Sequence, residues 1–142
     1  MKVIVQDEWF SIEQCDANPM NIYVFGDNLQ RVGNGGQAQI RPCKNTFGVA
    51  TKRSPSMAED AFFDDTFNDY IMMNMDLFRL YTMMNTPEAK NCTLVFPVDG
   101  LGTGLSELPK HSPFINEQLK ELLQQYFNVL TRIDGTLCYL KP

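Results

Sequence analysis

The sequence predicts an α/β layered fold, and three observations carry the prediction. Short runs that are apolar throughout, as buried sheet strands are, alternate along the chain with longer stretches whose apolar residues recur at helical spacing. Glycine-rich turns follow two of the apolar runs and lead toward helix-like segments, an arrangement that suits ligands bound beyond strand ends. No internal repeat or low-complexity segment interrupts the alternation.

The elements follow in order. Lys2 to Val5 reads as a first strand, and the polar stretch Ser11 to Pro19 as a short helix or turn. Ile22 to Phe25 is apolar throughout and reads as a buried central strand. A short helix begins at Gly35-Gly36 and stops at Arg41, because Pro42 disfavours helical backbone at the residue before it. Thr46 to Thr51 is a third strand whose exit, Lys52 to Ser56, is a loop. Asp64 to Met84 carries Phe67, Ile71, Met75, Phe78 and Thr82 at helical spacing, with Leu77, Leu80 and Tyr81 widening the stripe. Asp64 and Asp65 stand at its start, where carboxylates complement the helix dipole. Cys92 to Pro97 is a fourth strand. Pro113 to Leu130 reads as a second long helix, with Ile115, Leu119, Leu122, Tyr126 and Leu130 on one face, and Thr136 to Leu140 as a last strand after the Asp134-Gly135 turn.

Composition bounds the function. The 142 residues, 44% of them apolar, suffice for one core, so residues 1–142 are read as a single domain. A net charge of -5 without a Lys/Arg cluster excludes a protein that holds nucleic acid by neutralising phosphates, and leaves nucleic acid only as a modified substrate presented end-on. No apolar run approaches the roughly 18 residues of a membrane span and no signal peptide is visible, which predicts a soluble, cytoplasmic protein without a membrane partner. Cys15, Cys43, Cys92 and Cys138 are far apart and His111 is the only histidine, so no metal site is expected and no cofactor is called for. His111 reads as a loop residue near a helix start, and Trp9, Tyr23 and Phe25 as core.

Chemistry concentrates at the two glycine turns. The first runs Gly26-Asp27-Asn28 and continues Gly33-Asn34-Gly35-Gly36-Gln37-Ala38; the second is Asp99-Gly100-Leu101-Gly102-Thr103-Gly104-Leu105. Glycine lets the backbone approach a ligand closely, and the N–H groups exposed there favour an anion. Two such turns suggest a ligand with two phosphates. Neither matches a dinucleotide or phosphate-loop fingerprint, and each alone reads more readily as a tight turn. Asp27 either lines the site or caps its own turn.

With their flanks the turns resemble a known family. A strand ending in Asn28, then Leu29 and Gly35-Gly36-Gln37-Ala38, is similar to the macrodomain signature, and Phe96-Pro97 before Gly100, Gly102 and Gly104 resembles that family's second phosphate loop. Thr51-Lys52, with Gly102-Thr103-Gly104-Leu105 and Leu108, looks like the lysine-dependent subclass, the terminal ADP-ribose protein glycohydrolases, and order and spacing hold over most of Ile22 to Leu130. The resemblance implies a macrodomain-like layered fold with a mixed central sheet flanked by helices. It also implies binding of ADP-ribose, and hydrolysis of ADP-ribosyl linkages on protein or nucleic acid.

Its site would be built as follows. Asn28 would lie near the distal ribose, Gly26, Asp27 and Gly33 to Gln37 on one side of the phosphates, and Asp99 to Leu105 on the other. Lys52 would attack the anomeric carbon, its amine freed by desolvation or by neighbouring Arg53; the alternative is a solvated lysine after a strand. The subclass places an acid where this chain has Ser106, so Glu107, Asp99 or Asp27 would have to take that role. Asp7 falls roughly where macrodomains meet the adenine amine, and an aromatic from Phe62-Phe63 is placed to cover the adenine. The competing readings are a non-catalytic reader or sponge of ADP-ribose or a derived signalling nucleotide, and a fold without a working pocket. A small acidic domain of this kind also resembles a phage-encoded accessory protein.

Overall fold

The structure is a computed structural model and describes residues 1–141. Its elements are β1 (Lys2–Gln6), α1 (Ile12–Ala17), β2 (Asn21–Asn28), β3 (Thr46–Lys52), α2 (Phe67–Met84), β4 (Thr93–Pro97), α3 (Leu108–His111), α4 (Pro113–Phe127), β5 (Val129–Thr131) and β6 (Leu137–Tyr139). The segment Gly36–Ile40, expected as a short helix, is a 3-10 helix. The first four strands form one sheet in the order β1-β4-β2-β3.

This sheet is parallel at every pairing, where the resemblance implied a mixed one. The reason lies in the connections: α1, the 3-10 segment and α2 each carry the chain back to the start of the next strand, as parallel neighbours require. Antiparallel pairing is confined to the separate β5–β6 hairpin. The central strands β2 and β4 are buried on both faces. Val24, Leu94 and Phe96 join a core with α2 and α4, while Tyr23, Phe25 and Val95 point the other way into a cluster with Phe10, Cys15 and Ile40. Helices therefore cover both sides of the sheet.

Two sequence expectations give way. Helix α4 ends at Phe127, because Asn128 takes a left-handed conformation (φ 57°) and returns its N–H to the Gln124 carbonyl at 3.0 Å. Leu130 consequently leaves the helix and lies in β5. The second concerns α2, where part of the expected apolar stripe faces outward: Phe67 is 76% exposed, and Met75 and Phe78 are also exposed, whereas Leu77 and Leu80 are buried as expected. The buried face is Asp69, Met73, Asp76, Leu77, Leu80 and Met84. Both sets have helical spacing, and the buried one is disguised by two carboxylates that are tolerated inside because each is paired with arginine.

Asp64 and Asp65 do not open α2 either, since its first residue is Phe67 and Thr66 accepts the Asp69 N–H. Asp65 instead serves another helix. Its carboxylate accepts the Phe114 and Ile115 N–H groups at the start of α4, at 3.2 and 2.9 Å, while its own N–H donates to Ser112 Oγ at 3.0 Å.

Candidate functional site

The site forms where β2, β3 and β4 end side by side, the place at which parallel sheets bind ligands. The two glycine turns meet there. A Cβ added at Gly26 would lie 3.3 Å from the Gly102 nitrogen and 3.4 Å from Thr51 Oγ1, so bare backbone is what lets the β2 and β4 loops approach. Between them opens a cavity of about 310 Å³, bordered by Gly35, Gly36 and Gln37 on one side and by Asp99, Gly100 and Gly102 to Ser106 on the other. A smaller cavity of about 110 Å³ shares Gly26, Gly35, Leu105 and Ser106 with it and continues past Asp27, Asn28 and Gly33 to Lys52. The sequence-predicted residues thus line these two adjoining cavities, together the cleft, except that Leu101 turns its side chain into the core, Glu107 stands beyond the border, and Asp7, Phe62 and Phe63, expected near the adenine, line neither cavity.

Several of these side chains are committed to shaping the loops. Asn28 donates from Nδ2 to the Val32 carbonyl at 2.7 Å and accepts the Gln30 N–H on Oδ1 at 3.0 Å, which folds the turn toward Gly33. Asp27 is buried and grips Arg41 through two bonds of 2.6 and 2.9 Å, so its carboxylate is occupied by structure rather than by a free acid–base role. Gln37 Oε1 accepts the Phe10 N–H at 3.0 Å. Thr103 Oγ1 donates to the Asp99 carbonyl at 2.7 Å and braces the second loop.

Lys52 ends β3 with its side chain 4% exposed as a residue. Its ammonium donates to the Met57 thioether at 3.3 Å and stands 4.7 Å over the Phe62 ring. Burial pulls its pKa below the ordinary 10.5, against a smaller upward pull from Glu107. Arg53, expected to assist, is held by Asp69 at 2.7 and 3.1 Å, and burial does the work instead. Ser106 Oγ lies 2.7 Å from Thr51 Oγ1, which fixes the hydroxyl beside the cleft. Glu107 is left-handed (φ 45°), and His111 Nε2 lies 3.2 Å from its Oε1.

The lowered pKa has a consequence for stability. Between the folded-state pKa and 10.5 the unfolded chain binds more protons, so stability rises with pH through that window and the cost of burying the ammonium is present in full below it. Lys52→Met keeps an unbranched chain without the charge. It is expected to be at least as stable as the wild type at pH 7, with the difference narrowing as pH approaches 10.5; urea unfolding at both pH values measures this.

Three features of the site were not read from the sequence as site features. Trp9, expected in the core, is 53% exposed and forms a wall of the larger cavity. Its position just after β1, among the polar residues Asp7 and Glu8, was the available signal. His111 is no simple loop residue, for its ring stacks on Phe62 with centroids 3.9 Å apart and planes 12° apart. Met57 is the third, as the direct partner of Lys52. Among the described residues no group of three His, Cys, Asp or Glu side chains is placed to hold a metal ion.

A family model described as Family of unknown function (DUF7831) matches residues 5–122, a span holding both glycine loops, Lys52 and His111. Comparison with curated proteins and with solved structures gives no match.

Proposed function

The chain belongs to this family of unknown function, DUF7831, and we propose that it binds ADP-ribose in the cleft and hydrolyses ADP-ribosyl linkages at Lys52. One observation carries the reading: two glycine loops from neighbouring parallel strands face each other across a single cleft whose far end is a buried lysine. The loops supply N–H groups for a diphosphate without basic side chains, and the exposed Trp9 ring supplies a flat apolar wall for a base. Several N–H bonds to a charged group, each about 1.5–3 kcal/mol, support micromolar affinity, about 8 kcal/mol, after ordering costs.

In the proposed reaction the neutral Lys52 amine attacks the anomeric carbon and the bond to the attached group breaks, the leaving oxygen or nitrogen keeping the electron pair. Glu107, resting on His111 rather than paired with the lysine, is the acid–base group of this reading. After the attack it takes the proton shed by the lysine nitrogen through a water molecule, and water then adds to the anomeric carbon, a proton returning to the nitrogen as the carbon–nitrogen bond breaks and ADP-ribose leaves.

Gly104→Glu tests the binding step. Gly104 has no positive φ and open space where a Cβ would sit, so the substitution places a carboxylate in the phosphate loop without deforming it. Gly102 would be a poorer choice, because its φ is +79° and a Cβ there would lie 3.0 Å from Leu108. Calorimetric titration of ADP-ribose, read in parallel by the emission of Trp9, the chain's one tryptophan, is expected to show micromolar binding in the wild type. Gly104→Glu should weaken it about 100-fold or more with an unchanged Tm, roughly 3 kcal/mol of lost contacts and added repulsion. A wild type that gives no heat and no emission change with ADP-ribose would sink the assignment.

A second reading, a non-catalytic reader of ADP-ribose, draws support from Ser106 in the acid's place and from Glu107 being turned onto His111. Wild-type turnover of protein- or DNA-linked ADP-ribose separates the two.

A further inference from the structure

We propose that His111 is a positioning residue that holds Glu107 off the Lys52 ammonium and so keeps the lysine free of a carboxylate partner; its bearing on catalysis rests on the function proposed above. The structure contains an unusual combination. Arg31, Arg41, Arg53 and Arg79 each form an ion pair with aspartate, yet the buried Lys52 forms none among the described residues. A buried cation attracts any carboxylate that can reach it.

Glu107 is close enough for its charge to act on Lys52 and does not close the pair. It is restrained from two directions. Its left-handed backbone fixes where the side chain leaves the chain, and His111, one helical turn later, engages Oε1 at 3.2 Å. The His111 ring is itself immobilised, lying flat on Phe62, the same ring that carries the Lys52 ammonium. Phe62 therefore touches both the lysine ammonium and the ring that anchors Glu107. The remaining charged groups in these segments are engaged or exposed: Asp65 accepts the Phe114 and Ile115 N–H groups, Arg53 holds Asp69, and Glu59, Asp60, Asp64 and Lys110 are exposed. Besides Glu107, Lys52 meets the Met57 thioether from the loop after β3 and the Phe62 face.

The consequence is chemical. An opposite charge brought within about 4–6 Å favours the protonated lysine, which cannot attack carbon. Releasing Glu107 would quench the nucleophile rather than assist it.

The experiment is an NMR titration of the Lys52 13Cε signal in the full chain, assigned by its loss in Lys52→Arg. His111→Phe keeps a ring on Phe62 and removes the nitrogen that engages Glu107, whereas His111→Gln keeps a donor. His111→Phe is expected to raise the Lys52 midpoint by about one pH unit. His111→Gln should stay near the wild type, and His111→Phe/Glu107→Gln should lose the rise. A midpoint unmoved or lowered in His111→Phe, or a rise that survives Glu107→Gln, overturns the proposal. No ADP-ribose enters this measurement, so failure here and failure of ADP-ribose to bind are separate results.

Discussion

Lys52→Ala is expected to lower the rate of ADP-ribosyl hydrolysis by about 10³-fold or more while leaving ADP-ribose affinity within about threefold. The separation follows from the layout of the cleft. The two glycine loops border the larger cavity, and Lys52 borders only the smaller one at its end. Removing the lysine therefore removes the proposed nucleophile and spares the loops proposed to hold the diphosphate. Lys52→Arg serves as the companion variant: it restores the charge and most of the volume, but a guanidinium stays protonated and should not restore turnover. Single-turnover rates with protein-linked ADP-ribose, together with calorimetric affinities, provide the check. A Lys52→Ala enzyme that turns over at the wild-type rate would remove the lysine from the mechanism.

Asp76→Ala is expected to cost about 3 kcal/mol, a fall of roughly 10 °C in Tm for a chain of this size. The side chain is 2% exposed and accepts the Ala50 N–H at 2.8 Å, Arg31 at 2.7 and 2.9 Å, and Arg79. Its loss leaves a buried strand N–H without a partner and takes a carboxylate from two guanidinium groups, of which Arg31 keeps Asp27 at 3.6 Å. Arg31 is 35% exposed and Arg79 more so, which places the cost at the low end of the range for broken buried pairs. Asp76→Asn, which can still accept from Ala50, should lose about half as much. The effect reaches the cleft, because Arg31 belongs to the turn after β2 and also donates to the Gly48 carbonyl at 3.3 Å. ADP-ribose affinity should fall in Asp76→Ala although the residue lies on α2; denaturation and titration on the same sample measure both.

The same arginine–aspartate pairs explain what the sequence hid. Strands and glycine turns were legible because they are local: Ile22 to Phe25 is apolar in itself, and Gly35-Gly36 or Gly100-x-Gly102 marks a turn whatever surrounds it. The orientation of α2 was not, because its buried face includes Asp69 and Asp76, whose partners Arg53 and Arg31 stand 16 and 45 residues away. Hydropathy alone selects the face with Phe67 and Phe78. The end of α4 was legible in principle, since Asn128 is a residue that accepts left-handed backbone, and the apolar Val129 and Leu130 masked it. Within the site, the proximity of the two loops and Lys52 follows from strands ending side by side. The Glu107–His111–Phe62 arrangement depends on a contact between segments about 50 residues apart, for which the sequence carries no local mark.

The bonds between Asp65 and the start of α4 tie two distant stretches into one cooperative unit. A helix whose first N–H groups are answered by its own cap frays by itself; one answered from another segment opens only when that segment leaves as well. Phe62 lies three residues before Asp65, and His111 lies one residue before Ser112, whose hydroxyl receives the Asp65 N–H. The lysine end of the cleft and the first turn of α4 thus share a single opening event, and their amide protons would exchange with solvent together rather than in sequence.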